Sequence, residues 1–389
     1  MRRLFVGASK AVFNAGYRMA QHVMKRRDEV VFLSRQANEP SYDFETVATE
    51  FERRGWKATM HLKKVTKRNV IAYAGHVVSE IGLLARCRIA ILDRYDPVVS
   101  LIDFKSARAE NVPAGYHDEF PLKPTIIQLW HAFGAFKKFG YQSIGVREGH
   151  SAEVVDVFNI HRNYSWVVCS SESARPAFSE AFAYPIERVV ALDRPEYDEL
   201  LETRKRLEEA RKPKPSTSKR CNVLMAPTLR KSKASTHPFR DLYAKRTSFE
   251  NRIDADVMWS FHPLEEGLPA PGNASEQLLA ADVVVTDYSS IAYEAYLLGK
   301  PTVFFIPDIE EYRVSPGLNA DPLELSPGIC ATSEDELVSL LEGAVGGSAY
   351  STADFDAFAG SAFALNDRRT GTAAQRFVDF AIAQARTSK

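Results

Sequence analysis

Cysteine is scarce in this chain of 389 residues. Cys87, Cys169, Cys221 and Cys330 lie far apart, each within or beside an apolar run. No CxxC pair exists, so neither a zinc site nor a disulfide framework is indicated. Net charge is missing too. Fifty basic residues balance fifty acidic ones, which argues against a global nucleic-acid footprint. No apolar run is long enough to span a bilayer. No internal repeat of fixed period is found. Residues 1–27 contain no acid but carry Arg2, Arg3, Lys10, Arg18, Lys25, Arg26 and Arg27. Lys10, Asn14 and Arg18 break any signal-peptide core there, and no clear cleavage site follows.

What remains is the composition of a soluble globular protein, 45% hydrophobic and 26% charged. The length suits two domains better than one core. The basic N-terminal segment interleaves its cations with Leu4, Phe5, Phe13 and Tyr17. It reads as an amphipathic helix with two possible places. One is an anionic leaflet; the other is the protein's own body. The lack of acids favours the leaflet.

Beyond it, short apolar runs alternate with helical patterns, the signature of a parallel doubly wound sheet. Strands are predicted at Val30–Leu33, Thr59–Leu62, Ile89–Leu92, Thr125–Trp130 and Trp166–Cys169. A charged helix at Glu199–Arg211 and the stretch KPKPSTSKR, Lys212–Arg220, read as a connection. A second series follows at Asn222–Ala226, Val257–Phe261, Val283–Thr286 and Thr302–Phe305. Helical patterns at Ser333–Val345 and Thr372–Ala385 close the chain. The predicted fold is α/β, two Rossmann-like domains with a cleft between them. The expected division is 1–27 basic helix, 28–198 first domain, 199–220 connection, and 221–389 second domain with its closing helix.

In such sheets ligands sit outside the carboxyl ends of the strands. Four polar clusters lie there. TIIQLWHAFGAFKKFG, from Thr125 to Gly140, places His131 past a strand end, with Gly134 for close backbone approach and Lys137 and Lys138 for positive charge. VMWSFHP ends in His262 and Pro263. Ala226-Pro227-Thr228-Leu229-Arg230-Lys231 puts Arg230 where a guanidinium could clamp a phosphate. Thr286-Asp287-Tyr288-Ser289-Ser290 opens a helix containing Glu294. Unpaired N–H groups and two hydroxyls at such a start suit a diphosphate. Each feature also has a plain structural reading. The serines could only cap the helix, His131 could be packing beside Trp130, and Arg230 could be a solvated loop charge. Two histidines at strand ends of opposite domains, an arginine and a hydroxyl-rich turn together match a phosphate-bearing substrate. A neutral histidine can take a proton from an attacking alcohol.

These segments resemble the CDP-glycerol glycerophosphotransferases and CDP-ribitol ribitolphosphotransferases, the bacterial teichoic acid primases and polymerases. The resemblance runs from about Val30 onward. It rests on FLSRQANEPSYDF (Phe32–Phe44), AILDRY (Ala90–Tyr95), IIQLWHAFGAFKKFGY (Ile126–Tyr141), Met225–Arg230, FHP (Phe261–Pro263), TDYSS with its helix, and FFIPDIEEYR (Phe304–Arg313) with SPG (Ser326–Gly328). It implies a glycosyltransferase-B-like fold and transfer of a polyol phosphate from a CDP-polyol to an acceptor hydroxyl, with release of CMP. It implies His131 as catalytic base and His262 as a second essential histidine. It implies Ser289 and Ser290 at the donor diphosphate, and Thr286 in the same turn is expected to take part in substrate binding.

Arg230, Lys137, Lys138 and Glu294 are expected to complete substrate binding, with Glu294 near the ribose. Many members read His-Gly-Thr-Pro where this chain has His131-Ala132-Phe133-Gly134, so Phe133 would remove a hydroxyl from the cleft wall. A subgroup shares the His-Ala-x-Gly-Ala-Phe-Lys pattern. The expected partners are a CDP-polyol, a lipid-linked or teichoic-acid-like acceptor and an anionic membrane surface at its cytoplasmic face, with no nucleic acid. No cofactor and no catalytic metal are expected, because only Asp287 stands near Ser289 as a plausible ligand. A nucleotide-sugar glycosyltransferase or UDP-sugar epimerase of the same fold is the alternative reading, and a catalytically silent membrane-binding module is another.

Overall fold

Two parallel sheets carry the chain, their central strands buried on both faces. A computed structural model describes residues 2–64, 70–104, 123–146, 149, 151–210, 220–230, 235–262, 264–265, 267–268, 272–346, 349–364 and 370–387. The first sheet holds β1 (Glu29–Ser34), β2 (Lys57–Leu62), β3 (Ile89–Leu92), β4 (Thr125–Gln128), β5 (Trp166–Cys169) and β6 (Val189–Ala191) in the order β2-β1-β3-β4-β5-β6. The second holds β7 (Cys221–Met225), β8 (Ala255–Trp259), β9 (Val283–Thr286), β10 (Thr302–Phe305) and β11 (Cys330–Ala331) in the order β11-β10-β9-β7-β8. All pairings between these strands are parallel. Helices therefore cover both faces, and the central strands read as unbroken apolar runs.

Every strand expected from an apolar run is found, with one informative shift. β4 stops at Gln128 rather than Trp130. Trp130 adopts φ 63°, a left-handed conformation that costs energy for a bulky residue and turns the chain sharply. The Gln128 side chain helps hold the turn by accepting from the Trp130 N–H at 3.1 Å. β6 and β11 were not foreseen, being only three and two residues long.

The closing helix is the main departure from the expected domains. Ala373–Thr387 packs on the first sheet, not the second. Its Phe377, Val378 and Ala381 are fully buried among Phe44, Phe51 and Ile127. Burying Phe377 and Val378 contributes about 1.5–3 kcal/mol each, which is reason enough for the chain to cross back. The connecting helix, Glu196–Ala210, goes the other way. Its Tyr197, Leu200 and Leu201 pack against the second unit's core. Arg194, at its start, pairs with buried Asp43 at 2.8 Å, and Asp43 also accepts from the Glu196 N–H. Most of the expected linker, residues 211–219, lies outside the described residues, as do Lys231 and Pro263.

The N-terminal helix, Arg2–Val23, realises one of its two readings directly. Val6 and Tyr17 are buried. The Tyr17 hydroxyl donates to the Lys123 carbonyl, and the Arg26 guanidinium donates to the carbonyls of Cys87 and Lys123. Yet Leu4, Phe5, Val12, Met19 and Val23 are all more than half exposed. The helix thus packs on the body with one face and leaves a second apolar face uncovered among the described residues.

Candidate active site between the two sheets

The loop after β4 crosses to the second unit. Phe133 and Phe136 are buried in the second unit's core, beside Tyr293 and Phe358. Lys137 bridges to Leu318, and the Phe136 carbonyl accepts from the N–H groups of Asn319 and Ala320. Phe133 is therefore a core aromatic, under the Arg194 guanidinium at 4.6 Å, and not part of a cleft wall. Gly134 does permit a close approach, but of protein to protein. A Cβ there would meet the Tyr293 ring at 2.6 Å and the Ala362 side chain at 2.8 Å.

Pinned at both ends in this way, the loop holds His131 in a cavity of about 640 Å³ between the units. The wall is built from segments that follow strands. Arg35 follows β1, Arg94 follows β3, His131 follows β4, Arg230 follows β7, Ser290 follows β9 and Asp308 follows β10. This is where ligand sites form in open parallel sheets. Lys137 and Lys138 complete a cationic lining. The lining acids are already engaged. Asp308 accepts from Arg230 at 2.7 Å and from the Tyr288 hydroxyl at 3.1 Å, while Glu311 accepts from the Thr236 N–H and hydroxyl.

His131 stands with its ring 4.2 Å from that of Trp130. Its Nδ1 lies 3.3 Å from the Asp93 carbonyl. A hydrogen bond there requires the proton on Nδ1 and leaves Nε2 as the acceptor. Burial, then the neighbouring Arg94, push the imidazole pKa down to about 3. The ring is neutral through the physiological range. Arg94 is itself disfavoured as a cation by burial. Its Nε and the Nη1 of Arg230 are buried with no hydrogen-bond partner among the described residues. Buried donors in that state call for an acceptor.

Arg230 does more than face the cavity. Its guanidinium lies 3.1 Å from Asp287 as well as 2.7 Å from Asp308, and 4.6 Å from the ring centre of Tyr312. Asp287 organises the turn by accepting from the N–H groups of Thr228 and Tyr288. Thr286 is fully buried and donates to the Ala226 carbonyl at 2.6 Å, tying β9 to β7. It supports the turn and is not in the cavity wall. Ser290 is in that wall, and its side chain makes no capping bond. Ser289 is not in that wall, and its Oγ accepts from the Ile291 N–H at 3.5 Å.

Two more expected residues are placed elsewhere. His262 is exposed, with Nδ1 accepting from the Leu264 N–H at 3.2 Å, and is not in the cavity wall. Glu294 sits behind the site, beside Glu196 and Arg194. Burial, then Glu196, raise its pKa to about 7 from 4.5. A raised folded value stabilises the fold fully below the unfolded pKa and loses that contribution as pH rises through the folded one. The Glu294→Gln variant should therefore gain melting temperature over the parent at pH 8 and lose the gain at pH 5. Equal differences at both pH values in a thermal melt would contradict this.

The structure thus gathers His131, Arg230, Ser290, Lys137 and Lys138, and adds Arg35 and Arg94, which sequence reasoning did not single out. Their signal was present: each stands just past a strand, within FLSRQ and AILDRY.

A family described as CDP-Glycerol:Poly(glycerophosphate) glycerophosphotransferase matches residues 15–382. The chain belongs to this family. It is 31% identical over 283 residues to a teichoic acid poly(ribitol-phosphate) polymerase of Bacillus spizizenii, covering 67% of this chain and 44% of that one. It is 28% identical over 335 residues to a teichoic acid ribitol-phosphate primase of the same organism, covering 80% and 82%. The chain thus spans under half of the polymerase and most of the primase. Its fold matches that of the wall teichoic acid polymerase TagF, with TM-score 0.66 and 17% identity over 99% of this chain and 97% of the other. The architecture is accordingly glycosyltransferase-B-like.

Proposed function

We propose that this family member transfers a polyol phosphate from a CDP-polyol to a hydroxyl of a lipid-linked or growing teichoic-acid-like polymer. One observation carries the reading. A neutral histidine stands in a cationic cavity where Arg94 and Arg230 each hold a buried N–H donor without a hydrogen-bond partner among the described residues. In the reaction His131 Nε2 takes the acceptor's hydroxyl proton. The freed oxygen attacks the phosphorus bearing the polyol, the bond to the CMP oxygen breaks, and CMP leaves with the electron pair. Arg94, Arg230 and the Ser290 hydroxyl bind the diphosphate and stabilise its developing charge. The bound diphosphate also offsets the cations that hold the histidine's pKa down, making it a stronger base. Both relatives above are named for ribitol phosphate, which favours CDP-ribitol over CDP-glycerol.

Calorimetric titration without added magnesium tests the donor site. CDP-ribitol should bind, Ser290→Ala and Arg94→Gln should weaken it, and UDP-sugars should bind poorly. Preference for a UDP-sugar would instead favour the epimerase or glycosyltransferase reading. Strict dependence on magnesium would overturn the proposed charge neutralisation by protein cations.

The exposed face of the N-terminal helix supports a peripheral place on an anionic membrane. Phe5, Val12 and Met19 recur at every seventh residue, with Val23 one turn further on. No helix among the described residues is long and apolar enough to cross a membrane. Because Val6 and Tyr17 are core residues, deleting the helix would confound membrane binding with folding. Replacing Phe5, Val12 and Met19 together by serine is the cleaner change. Sedimentation with anionic vesicles should fall for this variant, while its melting temperature and CDP binding stay near the parent's. Unchanged sedimentation would contradict the membrane role.

A further inference from the structure

Outside the cavity, one cluster of side chains has no part in the proposed transfer. His61 lies on β2, the edge strand of the first sheet. His76 and Glu80 lie on the helix Val70–Arg86. Their spacing of four puts them on one helical face. One potential ligand atom from each of the three residues falls within 4.8 Å of the others. The two imidazole rings stack at 3.7 Å with 5° between planes.

From these residues we infer a binding site for a divalent transition ion of the zinc class, held by His61, His76 and Glu80. Three observations support it. First, Glu80 is 1% exposed, and its Oε1 has no hydrogen-bond partner among the described residues. A buried carboxylate oxygen without a donor is costly unless a cation or proton meets it. Second, His61 Nε2 lies 3.1 Å from the His76 carbonyl. Donation there fixes the proton on Nε2 and leaves Nδ1 free, the outer-sphere arrangement common to metal-binding histidines. Third, the donor set of two imidazoles and one carboxylate suits zinc-class ions, whereas magnesium and calcium prefer oxygen alone. Ligand atoms around a tetrahedral zinc lie roughly 3.4 Å apart. Closing the cluster on an ion takes a rotation of one of the two stacked rings, because parallel imidazoles aim their lone pairs along parallel planes.

Burial holds both imidazoles in the neutral, ligating form, His76 down to about 4. Lys63 and Arg35 also disfavour added positive charge nearby, while Asp96 favours it. Burial, then Asp96, push the Glu80 carboxyl pKa well above its ordinary value. An ion here would clamp the edge strand to the Val70–Arg86 helix. Arg35 lies over the Tyr73 ring of that helix at 5.5 Å and also lines the cavity. The role is structural support for the first sheet and the cavity wall at Arg35, separate from the chemistry at His131.

The test titrates zinc into chelator-treated full-length protein. One equivalent should bind. His61→Ala and His76→Ala should each weaken binding at least about a hundredfold, and exposed His22→Ala should leave it unchanged. Cobalt should give visible d–d bands with no thiolate charge-transfer band. The metal measurements on the parent protein keep the inference testable if a variant fails to fold. No stoichiometric binding, equal binding by the double variant His61→Ala/His76→Ala, or a cobalt–thiolate band would each overturn it. None of these readouts depends on transfer activity, so failure here leaves the proposed function standing.

Discussion

His131→Ala should lower kcat by about a hundredfold to ten-thousandfold, the usual cost of losing a general base, while CDP-polyol affinity changes little. The two parameters separate because the imidazole is uncharged and binds the donor weakly, whereas proton removal matters only as the acceptor attacks. The pH profile gives a second check. The free enzyme's acid limb in kcat/KM reports the base, and burial with Arg94 brings that pKa to about 3. A lowered histidine value keeps the base neutral as pH falls. The limb due to His131 should therefore not appear near 6.5. Near-normal turnover in the alanine variant, with its fold intact, would remove this histidine from the mechanism.

Arg230→Ala should cost about 3–5 kcal/mol of folding stability, the usual penalty for stripping one partner from a buried ion pair. The guanidinium is committed to two carboxylates, both buried with it. It also stands against the rings of Tyr288 and Tyr312, which stack on each other at 3.7 Å. Alanine leaves Asp287 and Asp308 facing each other in a poorly solvated space. Lysine cannot reproduce the planar fork, so Arg230→Lys should recover only part of the loss. Adding Asp308→Asn to Arg230→Ala should restore some stability, because one of the two stranded charges is gone. Urea unfolding of the set measures this. A loss below about 1 kcal/mol with donor affinity abolished would make Arg230 a dedicated phosphate clamp, as the sequence alone suggests.

That contrast shows what a sequence can carry. Position past a strand end is local information, written in an apolar run followed by polar residues. His131, Arg230 and Ser290 were legible on that basis, as were the sheets themselves. Partnership is not local. Nothing near Arg230 reveals that Asp308, across two strands, will occupy its guanidinium. Nothing near Phe133 reveals that its loop will cross and bury that ring in the other unit. The closing helix was legible as an amphipathic segment, but its apolar face does not name the sheet it covers. The His61, His76 and Glu80 cluster depends on an edge strand meeting a helix, so only the pair His76 and Glu80 could be read from spacing. Glu294 stands in the first turn of the right helix, where the sequence suggests a ribose contact. Its side chain is instead outside the cavity wall, under the influence of Glu196 and Arg194.

The most direct measurement follows nucleotide release during turnover. The purified protein is incubated with CDP-ribitol, CDP-glycerol or a UDP-sugar, together with a lipid-linked acceptor mimic, and both nucleotide and acceptor products are resolved. The account predicts CMP from a CDP-polyol, formed one for one with an acceptor extended by a polyol phosphate and lost in His131→Ala. Release of UDP from a UDP-sugar, or CMP formed with no extension of the acceptor, would contradict it.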